Sequence, residues 1–248
     1  MIEYLIIIAA NIIIGGMIGL TGIAGFLLPM LYSGFMGMPA AQGMALSFFA
    51  FLISGILGSR NYYKSDNLDV KLAVTISIGS IIGAIAGVWM NLLIDESIVK
   101  RILYLVVLLS GISILVRKDK EREKAGKRKI PAAAAILFGL ATGCICALSG
   151  AGGPILVMPL LVTFGVQVKT AVGVALFNSI FIAIPSCIGY SMQCDASSMA
   201  LLLVVSMISH GAGVWIGSRN ADMIKPQPLK KGVAIFSILI AIFKLITG

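Results

Sequence analysis

The chain has 248 residues, of which 59% are hydrophobic and 12% charged, with a mean hydropathy of +1.05. A soluble domain of this size cannot cover so much apolar side chain with its own polar surface. The formal charge of +9, which in a soluble protein would suggest nucleic acid, is expected here to sit in cytoplasmic loops, with no nucleic-acid partner.

No charge interrupts the stretches from Tyr4 to Ser59, Ile130 to Val168, Thr170 to Cys194, or Ala196 to Ser218. A hydrocarbon core of about 30 Å takes roughly 20 helical residues, so several runs span once and the first must be subdivided. A β-barrel would show short alternating segments instead of continuous apolar blocks. The fold class expected is an all-α polytopic membrane protein whose partner is the lipid bilayer.

Eight hydrophobic segments follow in chain order: 4–36, 40–59, 69–94, 98–116, 131–166, 170–191, 197–218 and 230–247. Before the first, "MIEYLIII" offers Glu3 where a cleavable secretory signal would carry Lys or Arg, so this segment is read as part of the mature protein. Between the fourth and fifth lies "RKDKEREKAGKRK", 117–129, a charge run expected to be a solvated loop. The organisation expected is a first repeat over 1–116, a basic cytoplasmic loop over 117–130 and a second repeat over 131–248.

The repeat is visible residue by residue. Pro29 falls on Pro159, and Gly43 falls on Gly173 within "AAQGMAL" and "TAVGVAL". "VKR" at 99–101 falls on "LKK" at 229–231, and "GVWMN" at 87–91 matches "GVWIG" at 213–217 at a slightly shorter offset. Four matches in order mark an internal duplication.

Segments 4–36 and 131–166 are too long for one straight span and too short for two. Glycine-rich stretches interrupt each near its middle: "GLTGIAGFLLPM" at 19–30 and "ALSGAGGPILVMP" at 147–159. Either each segment crosses as a broken helix, or each is a re-entrant hairpin followed by three crossing helices. Crossing divides Lys and Arg as twelve against seven, whereas re-entrance divides them as sixteen against three. Positive charge concentrates on the cytoplasmic side, which favours inverted repeats with both termini outside and the 117–130 loop inside. That is the topology of a multi-pass protein of the cell membrane.

Backbone that leaves the helix at membrane depth must be buried in protein or line a wet cavity. A helix restarting there presents unpaired N–H groups and the positive end of its dipole, a setting for an anion. Two such starts, near residues 25–27 and 153–155, are expected to face each other across the repeat. Candidate substrate-binding residues at the breaks are Thr21, Gly22, Gly25, Ser149, Gly150, Gly152 and Gly153. The glycines permit unusual dihedrals, and the hydroxyls cap helices or contact ligand. The alternative is that the glycines only let helices pack closely.

Polar residues within other spans extend the set. Ser47 and Asn178 lie at or within one position of equivalence in the segments after each break, where they contact ligand or bond between helices. His210, in "SMISHGAGVWIG", is an intramembrane ionisable group. It either donates to an oxyanion or carries a coupled proton, or it is a neutral structural histidine. At the 126 offset its half-one equivalent is Ala84. Trp89 and Trp215 are read as paired interfacial aromatics, and Arg60 and Arg219 as snorkelling at helix ends. Cys144, Cys146, Cys187 and Cys194 show neither C-x-x-C nor zinc-type spacing with the histidine, so no metal is expected.

The duplicated pattern, "GIAGFLLPML" with "QGMALS" and "GAGGPILVMPLL" with "VGVALFNS", resembles the TauE/SafE sulfite-exporter family of membrane transporters across essentially the whole chain. The first copy departs from the pattern, because "GIAG" lacks the double glycine and lies closer to its proline. The resemblance implies transport of sulfite, sulfonates or related sulfur oxyanions. The residues by themselves support a small anionic substrate bound at paired helix starts. No cofactor is expected, proton coupling rests on His210, and oligomeric state is left open. With no Walker motif, a secondary transporter is expected. The rivals are a permease for another solute or a metal cation, an intramembrane enzyme and a non-transporting sensor. The spans hold no acidic pair, H-E-x-x-H or G-x-S-x-G that would favour the enzyme.

Overall fold

The computed structural model describes residues 2–22, 24–116, 130–194 and 196–221, with isolated helical positions among 231–246. The chain runs as α1 (Ile2–Thr21), α2 (Ala24–Phe35), α3 (Ala40–Lys64), α4 (Val70–Leu93) and α5 (Glu96–Val116). After the basic stretch come α6 (Ala132–Ser149), α7 (Gly153–Thr163), α8 (Val168–Ser191) and α9 (Ala196–Arg219). The described residues form no strand. Six helices (α1, α3, α4, α6, α8 and α9) are long and apolar enough to cross a bilayer. The chain is thus an all-α polytopic membrane protein. Residues 117–129 and half of the expected segment 230–247 lie outside the described residues.

Each over-long segment divides in two: 4–36 into α1 and α2, and 131–166 into α6 and α7. The divisions fall past the middle. At about 1.5 Å per residue α1 and α6 reach roughly 27–30 Å, whereas α2 and α7 reach only about 18 Å. Each pair is therefore a full-length arm joined to a short one. The two short arms also differ in kind. α7 is a regular helix containing Pro159. α2 begins as a 3-10 turn over Ala24–Phe26 and ends as a π-helix over Met30–Phe35.

The helix limits follow from local chemistry. Pro39 and Pro131 precede α3 and α6 in extended conformation, as a residue that fixes φ and lacks an N–H suits a helix start. Asp69 caps α4 by accepting the Leu72 N–H at 3.0 Å.

The principal interfaces come in exchanged pairs. α1 packs on α9 as α6 packs on α4; α3 packs on α9 as α8 packs on α4; α3 and α8 meet each other. Close approach along the first pair comes from glycine, which lets backbones touch where a lipid-facing side chain would hold them apart. A methyl on Gly83 or Gly87 of α4 would collide with the Leu140 or Cys144 carbonyl of α6. One on Gly213 or Gly217 of α9 would collide with the Ile12 or Gly16 carbonyl of α1.

These contacts also correct the register of the duplication. Ile12 and Leu140 are 128 positions apart, while Gly87 and Gly217, which make equivalent contacts, are 130 apart. The repeated "GVW" is consequently offset by one helical turn. The contacts match Trp215 with Ile85 and His210 with Ser80, in place of Trp89 and Ala84. Both tryptophans face outward, at 70% and 49% exposure, in an apolar outer surface that includes Leu137, Ile188 and Ile208.

Replacing Gly83 by Ala should lower unfolding stability in detergent by about 1–3 kcal/mol through overpacking. In contrast, a methyl on Gly16 would lie 3.7 Å from the Gly213 oxygen, an ordinary contact. Gly16→Ala should therefore be neutral or stabilising by up to about 1 kcal/mol. Thermal melts of the two variants beside the parent would measure both.

Candidate functional site

The two breaks are built alike. Thr21 ends α1 and donates its hydroxyl to the Met17 carbonyl at 2.8 Å; Ser149 ends α6 and donates to Ile145 at 2.7 Å. A left-handed glycine follows each, Gly22 at φ 68° and Gly150 at φ 71°. That conformation costs an L-residue its Cβ clash and costs glycine none. Beyond Gly150 the chain passes through Ala151 to Gly152, at φ 80° and ψ 145°, and α7 starts at Gly153 with Pro154 in its first turn. By helix geometry the N–H groups of Gly152, Gly153 and Ile155 have no acceptor within α7.

The carbonyls exposed by ending a helix are met by side chains from other elements. Tyr190 of α8 donates its hydroxyl to the Ala147 carbonyl at 2.7 Å, and Asn91 of α4 donates to Leu148 at 2.8 Å. At the first break the Tyr62 hydroxyl lies 3.4 Å from the Gly19 carbonyl and 3.5 Å from that of Leu20. Tyr62 and Tyr190 are 128 positions apart. So are Met44 and Val172, which pack on Gly150 and Gly22 respectively. Each post-break helix thus caps the carbonyls of its own half's break through its tyrosine and packs on the glycine of the other half's break.

The breaks meet at one aromatic ring. Phe51 of α3, fully buried, presents Cε1 to Gly25 and Cε2 and Cζ to Gly152. An added methyl would lie 3.0 Å from the ring at Gly25 and 2.9 Å at Gly152. The methyl at Gly25 would also lie 3.6 Å from the Ala151 oxygen. Phe51 stands edge-on to Phe48, which stacks on Tyr190 at 5.7 Å, so the ring at the junction is continuous with the cap of α6.

Of the expected site residues, the structure brings together Thr21, Gly22, Gly25, Ser149, Gly150, Gly152 and Gly153. Three others lie on surrounding helices. Ser47 is buried and donates to the Gly43 carbonyl of its own helix at 2.6 Å. Asn178 accepts the Ser77 hydroxyl through Oδ1 at 3.1 Å, while its Nδ2 is buried without a partner. Its neighbour Ser179 reaches the Phe51 carbonyl at 3.4 Å. His210 lies on α9 with Nε2 2.6 Å from the Ser54 hydroxyl, one turn of α3 beyond Phe51. The 128 register separates Ser47 from Asn178: they are not equivalent positions.

Electrostatically the junction is a region of backbone dipoles. Among the described residues no group of His, Cys, Asp or Glu is arranged to hold a metal. The anion-favouring potential is unequal at the two starts, because α7 aligns its peptides over a regular helix while α2 changes geometry twice in twelve residues. Sequence reasoning missed Phe51, Tyr62, Tyr190 and Asn91. The two tyrosines carried a signal, a polar-tipped aromatic at one position of each half, visible only in the 128 register. Phe51 carried none, because Ser179 stands at its counterpart.

A family profile described as "Sulfite exporter TauE/SafE" matches residues 4–243, nearly the whole chain. The chain belongs to this family. It is one of membrane transporters rather than enzymes. The TauE/SafE chain is 24% identical over 226 residues to the probable membrane transporter protein YdhB of Bacillus subtilis, covering 89% of this chain and 90% of that one. It is 26% identical to the probable membrane transporter protein YjnA of the same organism, covering 97% and 98%. It is 27% identical to the probable membrane transporter protein MJ0441 of Methanocaldococcus jannaschii, covering 70% and 68%. No solved structure matches it.

Removing the Tyr190 hydroxyl as Tyr190→Phe should cost about 1–3 kcal/mol, because the Ala147 carbonyl loses a buried donor. Tyr62→Phe, whose hydroxyl stands 3.4 Å and 3.5 Å from the carbonyls of its break, should cost less than Tyr190→Phe. Denaturation of the two variants in detergent would rank them.

Proposed function

We propose that this TauE/SafE protein is a secondary transporter of small anions, with the anion held where the two breaks converge. The observation carrying this reading is the meeting of both interrupted segments on Phe51, with the first turn of α7 opening at that point. Free N–H groups and the positive end of a regular helix suit a negative ligand and oppose a cation. The family description favours sulfite, sulfonates or related sulfur oxyanions as the class.

Alternating access would come from rocking one repeat against the other. The exchanged helix interfaces support that motion, since Met44 and Val172 each pack on the break glycine of the other half. The charge distribution supports inverted repeats, with both termini outside the cell membrane and the 117–130 loop cytoplasmic. Thr21 and Ser149, already bonded to their own helices, act in this reading chiefly as terminators. Gly22, Gly25, Gly150, Gly152 and Gly153 supply the approachable backbone, and Asn178 on α8 holds an unpaired amide donor.

Counterflow in proteoliposomes loaded with sulfite, sulfoacetate, thiosulfate or sulfate is the direct assay. At least one of these anions should exchange. Transport of cations with none of the anions would overturn the reading. Gly152→Val, which both strains a positive φ and strikes Phe51, should reduce exchange by about tenfold or more. The topology has a separate check: a cysteine placed near Met1, in a variant lacking the four native cysteines, should react with an impermeant reagent from outside.

A further inference from the structure

His210 is the single histidine of the chain and is completely buried. Its ring is held between two helices. On the α3 side Nε2 lies 2.6 Å from the Ser54 hydroxyl, which is itself 3.0 Å from the Ala50 carbonyl. On the α1 side the ring lies against the main-chain carbonyl of Asn11, yet Nδ1 has no hydrogen-bond partner. Ser80, its counterpart in the first half, donates its hydroxyl to the carbonyl of Gly139 at 3.1 Å. Gly139 and Asn11 are themselves 128 positions apart. The histidine therefore occupies a position where the other half places a hydrogen-bond donor facing a carbonyl.

The imidazolium carries a proton on both ring nitrogens, where the neutral Nε2–H ring leaves Nδ1 bare beside acceptors. Nε2–H donates to Ser54, Ser54 donates to Ala50, and Nδ1–H faces the Asn11 oxygen. Asn11 Oδ1, also buried and without a partner, adds a second acceptor on the same helix. The positive charge so formed has no countercharge nearby. The groups facing His210 are the Asn11 amide and Gly15 from α1, Ser54 from α3 and Ser206 on its own helix. Beyond these stands the titratable side chain of Tyr32, whose hydroxyl bonds both Asn11 and Ser206. Glu3, Arg60, Lys64 and Arg219, the charged residues of α1, α3 and α9, lie at helix ends. A buried charge without a partner is strongly disfavoured, and an anion bound one turn of α3 away supplies the partner.

We infer that the protein moves a proton together with its anion, and that His210 carries the proton at Nδ1. One H+ from the loading side adds to the neutral imidazole as the anion binds, and both leave on the other side. The inference rests on the anion-carrier reading, but not on which anion is carried. Through Asn11 and Tyr32 the same event is felt in α2, since the Asn11 amide donates to the Tyr32 hydroxyl at 2.8 Å.

With only one histidine, 15N-histidine labelling gives a single pair of ring-nitrogen signals in reconstituted protein. Titration downward from about pH 8 should show Nδ1 taking up the proton, at a higher pH with the carried anion than without it. Saturating methanesulfonate, whose charge is constant in that range, and sulfite are the two probes. Whichever of them counterflow shows to be carried should raise the midpoint, as linkage requires. Ser54→Ala, which retains the histidine, should weaken proton affinity by about tenfold. An imposed pH gradient should drive accumulation of the carried anion by the parent protein. His210→Gln should lose that accumulation while still exchanging anion. The inference fails if Nδ1 holds its proton throughout as a neutral tautomer, if the midpoint ignores the carried anion, or if His210→Gln accumulates like the parent. Absence of counterflow for every anion would instead remove the carrier reading beneath it.

Discussion

Backbone that stops being helical inside a bilayer must find its hydrogen bonds within the protein, and this requirement organises the whole molecule. Two helices end in the interior at Thr21 and Ser149, and their last carbonyls are met by Tyr62, Tyr190 and Asn91 from other helices. Those donors are in place only if α3 and α8 run beside the breaks. That in turn requires the glycine-lined contacts of α1 with α9 and α4 with α6. The interior breaks are thus stabilised from outside their own segments: the tyrosines cap the break of their own half, while Asn91, Met44 and Val172 reach across to the other.

This arrangement bears directly on transport. A break supported by its own half would travel with it as a unit. Each break here is capped by a tyrosine of its own half but packed by the opposite half, so those packing contacts change whenever the halves move. Phe51 concentrates the coupling. One ring touches both breaks, and through Phe48 and Tyr190 it is continuous with the cap of α6. Polar chemistry is displaced to the sides, with Asn178 and Ser77 between α8 and α4, and His210 and Ser54 between α9 and α3. These are exchanged interfaces, and each holds one buried nitrogen without a partner.

The duplication is approximate, and its departures are informative. The first half has a partly π-helical short arm without a double glycine at its start, where the second has a regular helix opened by Gly152, Gly153 and Pro154. It also has Ser80 where the second half has His210. A strictly symmetric protein would offer two equal half-sites. This one assigns the stronger helix start and the ionisable group to the same half.

Hydrophobicity, uncharged runs and segment length were legible in the sequence because they report on the solvent, and the bilayer imposes them residue by residue. The all-α membrane class, the two over-long segments and the glycine positions of their interruptions follow from that pattern alone. Residue pairing across the halves was not legible. Small apolar motifs such as "GVW" match equally well one helical turn out of place, so sequence alignment joined Trp89 to Trp215 and Ser47 to Asn178. Only contacts between backbones separate those registers. They do so because a glycine's neighbour is a carbonyl at one register and open space at another. The caps from Tyr62 and Tyr190, the ring of Phe51 between the breaks and the partners of His210 were likewise decided by tertiary structure. Each joins groups far apart in sequence, and no local propensity records such a contact.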